Sequence, residues 1–276
     1  MTTIFPWSRR QHAAVRSRSA WWRILALALV TAFGCERPLP ISRLEWPEMG
    51  TVAALQIRGE RDAMAFEAVR GAFAEVTDKL NAHDSGSELN LLAAKDEATI
   101  LARCNGRMRP CYEAAFRLRE QTGGLFNPRY RGPGTMDLGA IAKGFAVDLG
   151  YERLKDGRQQ GRFLIDLGGN LRASGEWLVG IAGSDETLTL HDGEACATSG
   201  EYFRGAHIRN GRTGDAISNA VYSVTVVHPC SAMLADGLST VMFLLGRTRG
   251  EAFLRRHYPE ARAIWIAAEN HAHRCP

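Results

Sequence analysis

An aspartate, a glycine, a run of small residues and a single lysine make up the stretch Asp137 to Leu149, DLGAIAKGFAVDL. Ile141, Phe145 and Leu149 recur every four residues, the period of one helix face. Asp137 stands just upstream, where a short carboxylate can accept from the unpaired N–H groups of a helix start. Such a start also attracts anions, through those N–H groups and the positive end of the helix dipole. Lys143, in the expected first turn, opposes that dipole. Its placement makes sense if a bound anion, a phosphate above all, offsets it. A packed helix with glycines for close contact is the simpler account of the stretch taken alone.

Three further groups have types and spacings that could do chemistry. In Asp166-Leu167-Gly168-Gly169-Asn170 the paired glycines permit φ > 0 and a close backbone approach to a ligand, or simply a tight turn. Asp236 and Thr240 stand four apart and share one face of a helix. A carboxylate beside a hydroxyl offers hard oxygen ligands, suited to Mg²⁺ rather than zinc or copper; an acid near a helix start and a self-satisfied hydroxyl account for them equally. His207, in Ala206-His207-Ile208 with Arg212-Thr213-Gly214 behind it, is a candidate general base. Taken alone, a structural or surface histidine is the simpler reading.

These residues need elements to hold them. Val52–Ile57, entered through Met49-Gly50-Thr51, reads as a first strand. Phe66, Val69, Phe73, Val76 and Leu80 place a helix over 61–81. A loop and a short helix opened by Ser87-Glu88 follow, then a helical region over 98–122 with Pro110 at a helix start. Gly123 to Pro128, GGLFNP, is a turn by composition. Strands are expected at 162–167, 177–182, 187–190, 195–199, 206–209, 221–227 and 261–268, with a helix over 231–245 that Ser231 can cap. Helices and strands are mixed and the strands cluster in the second half. The expectation is one α+β body without internal repeats.

The 276 residues suffice for one large domain or two small ones, and 45% hydrophobic content is ample for a core. The net charge of +4 misleads, because residues 1–34 carry five arginines and no acid. Taking those five from the 34 basic residues leaves 29 against 30 acidic ones, so nothing points to a nucleic-acid surface. Residues 1–34 read as a targeting segment: a basic region ending at Arg23, a ten-residue apolar run from Ile24 to Phe33, then Gly34-Cys35. The run is too short to span a bilayer but fits the core of a secretion signal. A small residue followed by cysteine resembles a lipoprotein processing site with Cys35 lipidated; plain secretion and an uncleaved anchor are the alternatives. Residues 36–47, with three prolines and mixed charge, read as the tether. The layout is then signal peptide 1–34, tether 35–47 and body 48–276. Beyond Cys35 there are five cysteines, an odd number, of which Cys104 and Cys111 could close a small loop in an oxidising compartment. None has the spacing of a zinc site.

In order along the chain, DLGAIAKGFAVD, IDLGGN, ATSGEYFR, AHIRNGRTG and the run from SVTVV to SAMLADGLSTVMFLLG resemble the ApbE family, the FAD:protein FMN transferases. The upstream MGT and SELN also fit that family's first half, and the resemblance spans roughly residues 46 to 250. It implies a T-fold-like α+β body with a mixed or antiparallel sheet and packed helices. It also implies an Mg²⁺-dependent enzyme on the periplasmic face of the inner membrane, lipid-anchored through Cys35 or soluble in the periplasm. Such an enzyme cleaves FAD and transfers its FMN half to a threonine or serine hydroxyl, releasing AMP. Its targets would be flavoprotein subunits of membrane redox complexes.

Carried over residue by residue, the resemblance implies that Asp137 and Lys143 contact FAD, and that the Ala140 carbonyl, Asp236 and Thr240 hold the metal. Met49 and the Phe126-Asn127 turn would line the flavin pocket. His207 would take the proton of the acceptor hydroxyl. The chain departs from the family pattern in places. Its turn reads GLFNP where GAFDP is common, and only Pro128 to Met136 separate that turn from Asp137. His83 stands where a tyrosine against the flavin is common. The histidine motif reads HIRNGRTG where HIxDPxTG is common. A pocket so trimmed leaves two other expectations open: hydrolysis of FAD to FMN and AMP, or a non-catalytic FAD-binding lipoprotein.

Overall fold

The computed structural model describes residues 39–157, 161–182, 184–200, 208–217 and 221–267. Its first element turns on Met49 and Gly50, whose φ angles of 46° and 70° are both in the left-handed region. A two-residue hairpin needs that conformation to match the twist of its strands. The turn joins β1 (Ile41–Glu48) to β2 (Thr51–Arg58), with Glu48 opposite Thr51. The tether expected over 35–47 is therefore strand from Ile41 onward. Its prolines misled because β1 is an edge strand, where Pro47 gives up no needed ladder donor.

After β2 come α1 (Ala63–Leu80), α2 (Glu88–Leu92), α3 (Glu97–Arg103), α4 (Arg109–Gln121) and α5 (Ala142–Asp156). Then follow β3 (Phe163–Leu167), β4 (Asn170–Ser174), β5 (Trp177–Gly180), β6 (Thr187–Leu190), β7 (Ala195–Gly200) and β8 (Val221–His228). Helices α6 (Ala232–Leu245) and α7 (Arg247–His257) and strand β9 (Arg262–Ala267) complete the described chain. Short polar caps set several helix starts: Asp62 accepts from the N–H groups of Met64 and Ala65, and Ser231 from that of Leu234. The single helical region expected over 98–122 is two helices, broken between Cys104 and Met108, with Pro110 in the first turn of the second.

Seven strands form one sheet in the order β1-β2-β3-β4-β7-β8-β9, every neighbouring pair antiparallel. Alternation along β3 sends Phe163, Ile165 and Leu167 into the main core, where α1, α5 and α6 pack. Leu164 points the other way, into a smaller cluster with Trp177 and Leu190 of the separate β5-β6 hairpin. The α+β class and the antiparallel sheet expected from the sequence are both present. Gly168 and Gly169, φ 59° and 87°, make the β3–β4 hairpin turn, and Asp166 Oδ1 accepts the Gly169 N–H at 2.9 Å. Of the two readings of that glycine pair, the tight turn is the one observed.

Cys104 and Cys111 are buried, free thiols, so the small loop they might have closed is held by packing instead. Burial pushes the Cys111 thiol far up and the Cys196 thiol to about 12, so neither is a nucleophile at neutral pH. Among the described residues no helix is long and apolar enough to cross a membrane.

Candidate functional site

Helices α5 and α6 meet more closely than side chains normally allow. A Cβ on Gly144 would stand 2.2 Å from the Ala232 carbonyl oxygen and 2.8 Å from Asp236 Cβ, so only glycine fits. The gap it leaves lets the Gly144 N–H reach Asp236 Oδ2 at 3.0 Å. An α-helix would hand that N–H to the Ala140 carbonyl. The helix begins instead at Ala142, and the Ala140 oxygen is outside its ladder. Lys143 Nζ lies 3.5 Å from the same Asp236 oxygen and donates to the Gly139 carbonyl at 3.0 Å. The lysine that opposes the helix dipole thus has its anion, a carboxylate only 6% exposed. One turn on, Thr240 Oγ1 is 3.2 Å from Ser199 Oγ, which in turn is 2.8 Å from Ser239 Oγ.

A second carboxylate fixes α6 in register. Asp148 of α5 accepts from Ser231 Oγ at 2.8 Å, from the Ala232 N–H at 2.7 Å and from the Met233 N–H at 3.0 Å. These are orphan donors at the start of α6, where the dipole also favours an anion. Arg172 of β4 completes the set at 2.8 Å, its guanidinium 4.0 Å from the centre of the Tyr151 ring. In the sequence Asp148 is one more residue of the helical pattern. Its role depends on partners 83 to 85 residues away.

Asp137 does not cap α5, as its position upstream of the apolar face suggested. Four residues separate it from Ala142, and its Oδ1 accepts the Gly139 N–H at 2.8 Å, closing a local turn. Its Oδ2 takes Arg131 Nη2 at 2.9 Å and the Tyr130 hydroxyl at 3.3 Å. Gly139 links the cluster, bonding Asp137 through its N–H and Lys143 through its carbonyl. Arg131, on the short segment before Asp137, adds a half-exposed cation that the sequence did not mark out.

The two departures in the turn and histidine motifs face each other. Asn127 Nδ2 donates to the Gly211 carbonyl at 2.9 Å, and the Gly211 N–H donates to the Leu125 carbonyl at 2.8 Å. A Cβ on Gly211 would come within 2.4 Å of Asn127 Cβ. An aspartate at 127 would oppose a carboxylate to a carbonyl, and a proline at 211 would lack the N–H. Asn127 and Gly211 therefore replace the common acid and proline as a matched pair. Arg212 reinforces the junction through the Gly123 and Thr122 carbonyls at 2.8 and 2.9 Å. Asn127→Asp alone is expected to cost about 1–2 kcal/mol, read as a lowered denaturant midpoint.

The remaining expected residues lie apart from these bonds. Met49 stands in the β1–β2 turn against the core, and His83 is exposed between α1 and α2. Neither hydrogen-bonds to the Asp236 cluster among the described residues. Phe126 is 5% exposed, a member of the main core, and its N–H is held by Thr122 Oγ1 at 3.1 Å. His207 and Cys35 lie outside the described residues.

Among the described residues no three His, Cys, Asp or Glu side chains cluster as a metal cage. The oxygens that could hold a metal are the Asp236 carboxylate, the Thr240 hydroxyl four residues along α6, and the Ala140 carbonyl just before α5. All are hard oxygen donors. That set fits Mg²⁺, which proteins commonly hold through one or two carboxylates with substrate phosphates completing the shell.

The ApbE family pattern matches residues 130–265. A FAD:protein FMN transferase of Klebsiella pneumoniae (strain 342) is 36% identical over 44% of this chain and 42% of its own length. One from Haemophilus influenzae is 35% identical over 41% of this chain and 38% of its own. The aligned stretches thus span about two fifths of those relatives. A third, from Vibrio cholerae, is 26% identical over 84% of this chain and 89% of its own. The flavin transferase ApbE from Vibrio cholerae superposes with a TM-score of 0.67 at 22% identity, over 83% of this chain and 94% of that one. The apo Pseudomonas stutzeri flavinyl transferase ApbE gives 0.69 at 20%, over 86% and 94%. The order of the motifs, the sheet and the matched segment agree: over residues 130–265 the chain matches the ApbE family.

Proposed function

We propose that this chain transfers the FMN half of FAD to a threonine or serine hydroxyl of a target flavoprotein and releases AMP. The observation that carries the reading is the junction of Lys143, Gly144 and Asp236, where a buried carboxylate, an ammonium and a backbone N–H meet between two helices. Phosphoryl transfer asks mainly for positioning and charge neutralisation, and this junction has the parts for both. The Ala140 carbonyl, Asp236 and Thr240 would hold Mg²⁺. When bound, Mg²⁺ neutralises the pyrophosphate and the departing AMP phosphate.

Lys143 adds a point charge for a phosphate oxygen, and Arg131 offers a second cation beside Asp137. Asp148 and Gly144 keep α6 fixed, so that Asp236 does not have to reorganise when the substrate arrives. The acceptor hydroxyl loses its proton as its oxygen attacks phosphorus and the bond to the AMP phosphate breaks; His207 is the base for that proton. The targets would be flavoprotein subunits of membrane redox complexes. The basic and apolar leader ending at Cys35 supports lipid anchoring at the periplasmic face of the inner membrane.

The test is AMP release from FAD with Mg²⁺, with and without a hydroxyl-bearing acceptor protein, using a chain that retains β1 from Ile41. Release that depends on the acceptor supports transfer. Equal release with free FMN assigns hydrolysis instead, and bound, unaltered FAD overturns both.

A further inference from the structure

Cys230, two residues beyond the end of β8, is the one exposed cysteine among those the structure describes. Its Sγ lies 4.0 Å from His228 Nδ1, and its own N–H donates to that nitrogen at 3.3 Å. Nδ1 is therefore the acceptor of the neutral ring, and the ring proton sits on Nε2, which faces Glu260 Oε1 at 3.5 Å. The ring is only 3% exposed. Burial holds its pKa below the ordinary value, with Glu260 and Asp148 opposing and Arg172 adding to that shift. A thiol and a buried imidazole thus stand side by side, with the Glu260 carboxylate near the ring's far nitrogen but not hydrogen-bonded to it.

A cavity of about 380 Å³ opens against this thiol. Pro110, Phe145, Leu149 and Met233 give it apolar walls, and Arg107, paired with Glu75, and Arg172, paired with Asp148, also line it. Asp148, already committed to α6, and Glu152 also line it; burial raises the Glu152 pKa, which favours the neutral acid. Arg172 is nine-tenths buried and its Nε–H has no hydrogen-bond partner. None of these groups belongs to the Asp236 cluster, so nothing here depends on flavin chemistry.

We propose that Cys230 is a base-assisted reactive thiol that exchanges with low-molecular-weight disulfides entering this cavity. The Cys230 N–H releases His228 Nδ1, whose lone pair takes the thiol proton as the sulfur attacks one sulfur of the incoming disulfide. The S–S bond breaks, a mixed disulfide forms on Cys230, and the departing thiolate recovers the proton from the imidazolium. Cys230 is oxidised and the leaving sulfur is reduced, so no further oxidant is needed.

The experiment treats the reduced full chain with glutathione disulfide and follows each cysteine by peptide mass mapping over time. The mixed disulfide is expected at Cys230 before Cys104, Cys111 or Cys196, and faster than at the same cysteine in the urea-unfolded chain. His228→Gln should slow it by roughly tenfold or more while leaving Cys230 exposed. Because His228 is buried, Glu260→Gln, at a side chain 46% exposed, is the second variant, and it should slow the exchange without unfolding the protein. Labelling of Cys230 no faster than in the unfolded chain overturns the proposal. So do unchanged rates in both variants.

Discussion

Asp236→Ala is expected to lower FMN transfer by about a thousandfold or more, since charge neutralisation at a metal-held phosphate is worth several kcal/mol and each 1.36 kcal/mol is tenfold. A loss this large requires that no other side chain take over the carboxylate's role. Among the described residues no group of three His, Cys, Asp or Glu side chains stands ready to take over from it. Asp236→Asn separates charge from geometry. Its amide oxygen still accepts the Gly144 N–H, so the α5–α6 junction survives and the melting temperature stays close to wild type. The charge that partners Lys143 is gone, so activity falls with the alanine variant. Wild-type rates in either variant, measured as AMP released at saturating FAD, would refute the assignment of Asp236.

The second large effect lies on stability. Asp148→Ala removes three hydrogen bonds at the start of α6 and a fourth to Arg172, which is left buried without its partner. Breaking a buried ion pair from one side costs about 3–5 kcal/mol, which in a body of this size corresponds to a melting point lower by roughly 10 °C. The double variant Asp148→Ala/Arg172→Met tests the cause. If the stranded guanidinium dominates, the double variant recovers part of the loss. If the caps dominate, it does not. Transfer should weaken in the single variant at a temperature where it remains folded, because Asp236 rides on the helix that Asp148 anchors.

The sequence marked these two acids unequally, and the reason is distance along the chain. Asp236 stood out through a local spacing, four residues from Thr240. Asp148 works through Ser231 and Arg172, and no periodicity links those positions. The same contrast runs through the fold. The helix over 231–245 and the strand over 221–227 are local patterns and stand within about a residue of their expected bounds. Strand β1 was hidden because prolines argue against a strand in general but not at a sheet edge. Helix α7 was hidden by its charge and by Gly250, whose missing side chain admits Met242 and the Trp265 ring. Asp137 had the right residue type for a cap, yet the chain makes one more turn before α5 begins. Asn127 and Gly211 each looked like the loss of a family feature. Only their contact across the fold makes them a pair.

If the Lys143–Asp236 junction serves transfer to a protein hydroxyl, the labelled product itself must show it. The most direct measurement is the intact mass of an acceptor flavoprotein incubated with this chain, FAD and Mg²⁺. The acceptor should gain one FMN, less the water lost on forming the phosphoester, with one AMP released for each acceptor labelled, and Asp236→Asn should give neither. An acceptor of unchanged mass, with FAD either intact or split to free FMN and AMP, would contradict that role.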